Sequence, residues 1–448
     1  MDTVTVTAPS SKSLSHRALI AAALAPGESV LSDVLESRDI YATMSCLTAC
    51  GAALREENGR VLVTGLEHGP LGAVEKQDPP RELFVGESGT TCRLITAVAA
   101  AGKGRFRING EGRMPERPMG ELARALAKLG PRIRWEGRPE CPPLVIETDG
   151  LHGGTTSITL EESSQYLSGL LLAAPLADGP VTIEVAGKKA VSWPYVALTL
   201  TVLQDFKIPF VVEIRDGKKW AQRPWRTLKQ VVPGEIRFTV TPAPYESGDW
   251  RVEGDWSNAS YFLAAGALGP RTVRVDGLRA ESLQGDRAIL DILAAMGATT
   301  RCAPGRVTVE PRPLRGLDLD MGRCPDLVPT VAVAAALAQG PTRIRNVAHL
   351  RLKESDRLAA LAREIGRTGC GVTVLEDGLA IEPAPLPPAG TVLECSSHGD
   401  HRMAMSLALF GLRGLEVRLD DPGCVDKSFP GFWSEWAKVL PRAAGGRS

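Results

Sequence analysis

The segment SNASYFLAAGALGPRTVRVDG, residues 257–277, contains the pattern from which the fold can be predicted. Its first twelve residues are apolar nearly all round, which is typical of a helix inside a domain rather than on its surface. Gly269 then ends the helix. The following RTVRVDG alternates polar and apolar residues, as a strand with one buried face does. The segment therefore predicts a buried helix followed by a half-buried strand.

The same pattern recurs six times along the 448 residues, and such regularity indicates a repeat architecture. The helical runs are HRALIAAALA, TCRLITAVAAA, SQYLSGLLLAAPLA, SNASYFLAAGAL, VPTVAVAAALA and HRMAMSLALFGL. The glycines that end them are Gly27, Gly102, Gly179, Gly269, Gly340 and Gly414. A second, charged helix and two more strands follow most of these units. We therefore predict an α/β (α+β) protein of six βαβαββ-type units.

Length predicts two domains, because a single core rarely grows beyond about 250 to 300 residues. We place three repeats in each. One domain is predicted to comprise 1–10 and 253–448, with the first strand crossing over, and the other to comprise 11–252. The segment 205–250 is the least regular part, and we predict that it is an insertion in a surface loop.

Composition excludes several classes of partner. Lys plus Arg and Asp plus Glu number 52 each, so no net field attracts nucleic acid or an anionic membrane. The nine cysteines show no paired C-x-x-C spacing and are interpreted as free thiols. No signal pattern and no apolar run of about 18 residues is found. We expect a cytoplasmic monomer that acts on small molecules.

The starts of the six apolar helices are unusually polar. They read SSKSLSHR, GESGTTCR, EESSQY, GDWSNAS, RCPDLVP and SSHGDHR. A helix start carries unpaired N–H groups and the positive end of the dipole, so it favours anions. We expect the six starts to face one cleft that binds a multiply anionic ligand.

Several polar clusters are candidates for that site. They are Lys12, Ser13 and Arg17; Arg113, Glu116 and Arg117; Ser163, Ser164 and Gln165; Lys353, Glu354 and Arg357; and Asp400, His401 and Arg402, with Lys427 further on. Each alone has a plainer explanation, such as helix capping or a solvated ion pair. Their equivalent positions in the repeat favour a functional role. Motifs of P-loop, dinucleotide-binding and zinc enzymes are missing from the sequence.

These motifs resemble those of the EPSP synthase (3-phosphoshikimate 1-carboxyvinyltransferase) family in the same order along the chain. The matching motifs are SKSLSHRALI, GESGTTCRL, GRMPERPMGEL, SSQYLSGLL, DWSNASYFLAAGAL, PDLVPTVAVAAALA, LRLKESDRL, GDHRMAMSLAL and DPGCVDKSFPGFW. The resemblance implies two inside-out α/β barrels, with buried helices and outward-facing sheets, that close on substrate. It implies transfer of the enolpyruvyl group of phosphoenolpyruvate to the 5-hydroxyl of shikimate 3-phosphate, through a tetrahedral adduct that expels phosphate.

The resemblance also implies the ligand set. Shikimate 3-phosphate would contact Lys12, Ser13, Arg17, Ser163, Ser164, Gln165, Ser192, Tyr195, Asp326, His349 and Lys353. Phosphoenolpyruvate would contact Lys12, Gly89, Arg117, Gln165, Arg357, His401, Arg402 and Lys427. This chain departs from the family at Glu87, where the glycine-rich loop carries Asn, and at His349, where some members carry Asn. Glu87 would repel an anion, so we expect it to contact solvent or an Arg.

For the chemistry we assign Asp326 as the base and Glu354 as the proton donor, with Lys12 and Lys427 stabilising charge and sharing in the transfers. No metal or organic cofactor is expected, because the cationic side chains supply the positive charge. Room beside Gly89 implies binding of glyphosate, the inhibitor of the family, in competition with phosphoenolpyruvate. The alternatives are the sister transferase that acts on UDP-N-acetylglucosamine, and a non-catalytic homologue that binds phosphate ligands or nucleic acid.

Overall fold

The computed structural model of the protein describes residues 2–228 and 230–440. Within them, the helices are α1 (Lys12–Leu24), α2 (Arg38–Ala49), α3 (Gly89–Ala100), α4 (Gly120–Ala127), α5 (Gln165–Ala173), α6 (Trp193–Asp205), α7 (Trp256–Leu268), α8 (Ile289–Met296), α9 (Val328–Ala336), α10 (Arg357–Gly366), α11 (His401–Leu407) and α12 (Phe432–Val439). In that part of the chain, no helix has the length and apolar character needed to cross a membrane.

The strands of the same residues are β1 (Thr3–Thr7), β2 (Glu28–Ser32), β3 (Ala53–Glu57), β4 (Arg60–Thr64), β5 (Arg81–Phe84), β6 (Lys103–Asn109), β7 (Arg132–Trp135), β8 (Leu144–Asp149), β9 (Gly154–Leu160), β10 (Val181–Ala190), β11 (Phe210–Asp216), β12 (Lys219–Gln222), β13 (Ile236–Val240), β14 (Asp249–Arg251), β15 (Thr272–Asp276), β16 (Thr299–Ala303), β17 (Arg306–Glu310), β18 (Asp318–Asp320), β19 (Thr342–Arg345), β20 (Gly371–Val374), β21 (Leu379–Glu382), β22 (Val392–Cys395) and β23 (Glu416–Leu419).

The sheets confirm the predicted repeat. Four of them have one order of strands: β14-β2-β4-β3, β5-β6-β8-β7, β1-β15-β17-β16 and β18-β19-β21-β20. In each, a strand lies parallel to the strand that follows a buried helix, and an antiparallel pair completes the sheet. A fifth sheet, β12-β11-β13-β10-β9, keeps this core order with one added strand, and the sixth is the parallel pair β22-β23.

All six predicted buried helices are present as α1, α3, α5, α7, α9 and α11. In α7 every residue from Trp256 to Leu268 is buried, as its uniformly apolar sequence predicts. Strands outside them show one buried and one exposed face, for example in β4, where burial alternates. The helices therefore occupy the interior, and the outer faces of the sheets are solvated.

Two compact units divide the chain. We call Ser11–Val252 the N-terminal unit, and Met1–Ser10 with Glu253–Ser448 the C-terminal unit. Each has its own hydrophobic core, from Ala18 to Val252 in one and from Val4 to Val439 in the other. Strand β1 pairs with β15 within the C-terminal unit, and β14 pairs with β2 within the N-terminal unit.

The segment 205–250 is not the surface-loop insertion that we predicted. Its strands β11 and β13 are the two antiparallel strands of the third repeat, and β13 pairs directly with β10. Phe206, Phe238 and Tyr245 from this segment are buried in the core. Only the long connection between β11 and β13, which contains β12, is added to the repeat pattern. The prediction was wrong because charged and Pro-rich residues in that connection mask the short strands beside it.

Candidate active site

Arg357 lies at the centre of the polar cluster in the C-terminal unit. It begins α10 and is only 1% exposed, yet it forms ion pairs with three carboxylates. Its Nε lies 2.7 Å from Asp400 Oδ2, its Nη1 3.0 Å from Asp326 Oδ1, and its Nη2 2.9 Å from Glu354 Oε2. The pair of Glu354 and Arg357 is thus part of a largely buried network and is not the solvated ion pair of the plainer explanation. Removing one member of such a network costs about 3 to 5 kcal/mol.

Asp400 connects helix capping to this network. Its Oδ1 accepts a hydrogen bond from the backbone N–H of Arg402 at 2.9 Å, which caps the start of α11. The same carboxylate pairs with Arg357, and it is completely buried. One side chain therefore fixes both the direction in which α11 begins and the position of the central guanidinium.

Arg402 forms the second contact with Asp326. Its Nη2 donates to Asp326 Oδ2 at 3.0 Å, and its Nη1 donates to the Ser257 hydroxyl at 2.7 Å. Asp326 therefore receives one guanidinium on each oxygen. Burial by itself raises the pKa of Asp326, but Arg402, Arg357 and Lys353 together hold it well below its ordinary value. In this arrangement Asp326 is ionised and only weakly basic.

Lys427 and His401 lie near the same groups. Lys427 Nζ is 3.8 Å from Glu354 Oε1, so Glu354 lies between an ammonium and a guanidinium. His401 is buried with Nδ1 3.9 Å from Asp400 Oδ1. His349 is also buried. In the C-terminal unit the structure thus brings together Asp326, Glu354, Arg357, Arg402 and Lys427 as one connected cluster.

In the N-terminal unit, Arg17 is a buried cation surrounded by neutral oxygens. Its guanidinium donates to Thr199 Oγ1 at 2.8 Å, to Ser168 Oγ at 3.2 Å, and to the backbone carbonyls of Ser13 and Tyr195. Burial lowers its pKa to about 10. Neutral acceptors fix the guanidinium without cancelling its charge, so the unit retains a positive centre suited to an anionic ligand.

Lys12 forms an ion pair with Asp39, a buried carboxylate near the start of α2. Lys12 begins α1 one turn before Arg17, and Ser11 caps that helix. The long side chain of a lysine is flexible, so its ammonium group needs a partner such as Asp39 to stay in one position. Asp39 therefore positions Lys12.

The glycine-rich loop holds Arg117 through a close approach. A Cβ atom on Gly89 would overlap the guanidinium of Arg117, so a larger residue there would have to displace the flexible end of that side chain. Arg117 Nη1 also donates to the backbone carbonyl of Glu87 at 3.5 Å. Glu87 is exposed, which fits the expected contact with solvent or an Arg.

The remaining predicted residues of this unit lie at helix starts. Gln165 begins α5 and donates from Nε2 to Thr90 Oγ1 at 2.9 Å, while its backbone N–H donates to the Ser163 hydroxyl. Ser164 is buried beside them. Ser192 precedes α6 with φ of 59°, a left-handed conformation, and Tyr195 lies in the first turn of that helix. Backbone of this kind often marks a functional site.

Several residues of these clusters were not predicted. They are Asp39, Thr90, Ser168, Thr199, Ser257 and Asp286. Asp286 is the least expected, since its carboxylate is 3% exposed and accepts a hydrogen bond from Ser257 at 2.6 Å. In sequence it stands in LQGDRAIL, where an Asp before a helix looks like an ordinary cap. Nothing in its local sequence indicates a connection to Arg402 through Ser257.

The two clusters differ in chemistry. The cluster of the N-terminal unit contains cations, hydroxyls and an amide, which can bind anionic and hydroxylated ligands. It also contains Asp39, which is paired with Lys12. The cluster of the C-terminal unit contains three carboxylates around Arg357, those of Asp326, Glu354 and Asp400, and carboxylates can exchange protons. Within residues 2–228 and 230–440, no group of three or more His, Cys, Asp and Glu side chains is arranged to hold a metal ion.

Comparison with known proteins gives one consistent family. The sequence model of EPSP synthase (3-phosphoshikimate 1-carboxyvinyltransferase) matches residues 3–436. A 3-phosphoshikimate 1-carboxyvinyltransferase of Thiobacillus denitrificans is 39% identical over 440 residues, which cover 97% of this chain and 96% of that protein. A 3-phosphoshikimate 1-carboxyvinyltransferase of Shewanella amazonensis is 38% identical over 440 residues, which also cover 97% of this chain and 96% of that protein.

Solved structures agree with this. An EPSP synthase of Acinetobacter baumannii superposes with a TM-score of 0.74 at 26% identity, covering 98% of this chain and 96% of that one. The enolpyruvyl transferase NikO of Streptomyces tendae has a TM-score of 0.67, covering 98% of this chain and 94% of its own. At 16% identity the second likeness shows the shared fold alone.

Proposed function

The chain belongs to the EPSP synthase family, and on that premise we propose that it transfers the enolpyruvyl group of phosphoenolpyruvate to the 5-hydroxyl of shikimate 3-phosphate, releasing phosphate. One observation carries the proposal beyond the family match. Asp326 is held between Arg357 and Arg402, so a proton-accepting carboxylate and two anion-binding guanidinium groups are in direct contact.

We assign shikimate 3-phosphate to the predicted residues of the N-terminal unit, with Asp326, His349 and Lys353 from the C-terminal unit. Arg17 supports this assignment best, because a buried guanidinium with neutral partners gains most from an anionic ligand. Lys12, held by Asp39, would neutralise charge on either substrate. The hydroxyls at the start of α5 suit a phosphate and a ring hydroxyl.

Phosphoenolpyruvate is assigned to Arg117, Arg357 and Arg402, with Lys12, Gly89, Gln165, His401 and Lys427. Two of these arginines, Arg357 and Arg402, pair with Asp326. An anionic ligand would compete for their N–H groups. As the guanidinium groups turn towards it, Asp326 loses the charges that depress its pKa and becomes more basic. Binding of phosphoenolpyruvate would therefore activate the base.

The proton transfers follow from the same contacts. Asp326 removes the proton of the 5-hydroxyl as its oxygen attacks C2 of phosphoenolpyruvate, and Glu354 protonates C3 to give the tetrahedral adduct. Loss of a C3 proton and of phosphate then restores the double bond. Lys427 lies 3.8 Å from Glu354, close enough to share this proton after a small movement.

Phosphate release tests the activity directly. Purified protein is given phosphoenolpyruvate with shikimate 3-phosphate, and in parallel phosphoenolpyruvate with UDP-N-acetylglucosamine. We expect release only with shikimate 3-phosphate, and none when either substrate is omitted. Release with the nucleotide sugar alone would move the chain to the sister activity, which the family match and the relatives' names do not favour.

A non-catalytic homologue would give a different result. It would release no phosphate with either acceptor, yet shikimate 3-phosphate would still raise its melting temperature, because a ligand that binds the native state stabilises it. Cytoplasmic location, a monomeric state and competition by glyphosate stay predictions.

Gly89→Ala should raise the KM for phosphoenolpyruvate. The added methyl group overlaps the Arg117 guanidinium and forces it aside. Loss of one charge-assisted hydrogen bond, about 1.5 to 3 kcal/mol, predicts a KM higher by about 10-fold to 150-fold. The control is Gly248→Ala, where the methyl group makes only an ordinary contact with Trp250. Steady-state kinetics with each substrate varied would show the change, and an unaltered KM would remove Arg117 from the phosphoenolpyruvate site.

A further inference from the structure

Asp286 belongs to a chain of hydrogen bonds that reaches the proposed base. The residue lies in the 3₁₀ turn Gly285–Ala288 that leads into α8. Ser257 Oγ donates to Asp286 Oδ2 at 2.6 Å and accepts from Arg402 Nη1 at 2.7 Å. Arg402 Nη2 then donates to Asp326 Oδ2 at 3.0 Å. Three different elements of the C-terminal unit thus connect two carboxylates through one hydroxyl and one guanidinium.

The direction of these bonds is determined by the donors available. A guanidinium can only donate, so Ser257 Oγ must accept from Arg402. The single hydroxyl proton of Ser257 is then directed to Asp286. Without this acceptor, the hydroxyl could rotate and present its proton elsewhere. Asp286 therefore keeps the lone pair of Ser257 turned towards Arg402.

We propose that Asp286 is a positioning residue of this enzyme: through Ser257 it orients the Arg402 guanidinium so that one edge faces Asp326. The inference rests on the proposed function and adds to it a residue that touches neither substrate. The guanidinium of Arg402 is planar and rigid, so its contacts with Ser257 and Asp326 move together when it rotates. A change at Ser257 therefore also changes the contact with Asp326.

The electrostatics of Asp286 support a role other than stability. Burial and the negative charge of Asp326 raise the pKa of Asp286 to about 7, and Asp255 adds to the rise, while Arg402 and Ser257 oppose it. A carboxyl with a raised pKa binds its proton more tightly in the folded state than in the unfolded state. Stability therefore falls as the pH rises from about 4 to 7. At neutral pH, Asp286 therefore destabilises the folded protein.

A double-mutant cycle tests the connection. Asp286→Ala and Ser257→Ala should each lower kcat/KM for phosphoenolpyruvate by about tenfold, and the double variant should lose no more than either single variant. Asp286→Asn keeps a carbonyl acceptor for Ser257 and should restore most of the activity. Asp291→Asn, an exposed carboxylate five residues later, is the matched control. Additive losses, or wild-type kinetics for a folded Asp286→Ala variant, would overturn the proposal.

Two measurements that need no turnover complete the test. Asp286→Asn should raise Tm at about pH 8 and match the wild type only below about pH 4. In Ser257→Ala, the pKa of Asp326, followed by carbon NMR, should rise because Arg402 is free to turn away. An unchanged Asp326 pKa contradicts the positioning role even if the protein proves inactive with shikimate 3-phosphate, whereas wild-type inactivity contradicts the proposed function.

Discussion

Asp326→Asn is expected to reduce kcat by about 10²-fold to 10⁴-fold, the usual contribution of a general base. The amide keeps the shape of the carboxylate, but its single oxygen can accept from only one of Arg357 and Arg402, and it cannot take a proton. The KM of either substrate should change far less than kcat. Initial rates of phosphate release with both substrates varied would measure these effects.

The same variant should be less stable at neutral pH. Because Arg402 and Arg357 hold the pKa of Asp326 below its ordinary value of 3.8, its ionised form stabilises the folded state above that pH. This contribution is lost as the pH falls below 3.8 towards the folded-state pKa. The Asn variant lacks it throughout the neutral range, so its Tm should fall at pH 7 and approach that of the wild type in acid.

Asp318→Asn is the control for both effects. Asp318 forms an exposed ion pair with Arg345 in the same unit, and such pairs contribute about 0 to 1 kcal/mol. Turnover and Tm should stay close to wild type in this variant. If Asp326→Asn also kept its turnover, another residue would have to be the base, and Glu354 would be examined first.

The fold could be predicted from the sequence where burial is uniform along an element. A helix such as α7, apolar on every face, is stable only in the interior of a domain. Six such helices at similar intervals along the chain indicate six repeated units. The pairings of β1 with β15 and of β14 with β2 could not be predicted in this way. Strand β14 has three residues, Asp249–Arg251, too few to show an alternation, and its pairing with β2 depends on contacts more than 200 positions apart.

The candidate site could be predicted as a set of residues but not as a network. Lys12, Arg17 and Arg402 stand at helix starts, where polar residues in an apolar sequence are conspicuous. Their partners have no such signal. Asp39 and Asp286 each precede or begin a helix, where acidic residues are common for reasons of capping and dipole alone. Only the tertiary structure distinguishes these carboxylates from ordinary caps, because it shows that they are buried against cations.

Arg402→Ala should raise the KM for phosphoenolpyruvate on the order of 10²-fold, from loss of one or two charge-assisted hydrogen bonds of about 1.5 to 3 kcal/mol each. Affinity for shikimate 3-phosphate alone should be nearly unchanged, because the proposed contacts of its phosphate and ring come from other residues. Arg402→Lys should be intermediate, since an ammonium keeps the charge but cannot contact Ser257 and Asp326 as a planar fork.

The two affinities must be measured separately for this result to be decisive. Calorimetry of shikimate 3-phosphate binding without phosphoenolpyruvate gives one, and the KM for phosphoenolpyruvate at saturating shikimate 3-phosphate gives the other. Arg343→Ala, an exposed arginine on β19, is the matched control and should alter neither. Equal losses of both affinities in Arg402→Ala would contradict the assignment. They would mean that Arg402 acts by holding Asp326 and the surrounding network together, because only such a general disruption weakens both substrates alike.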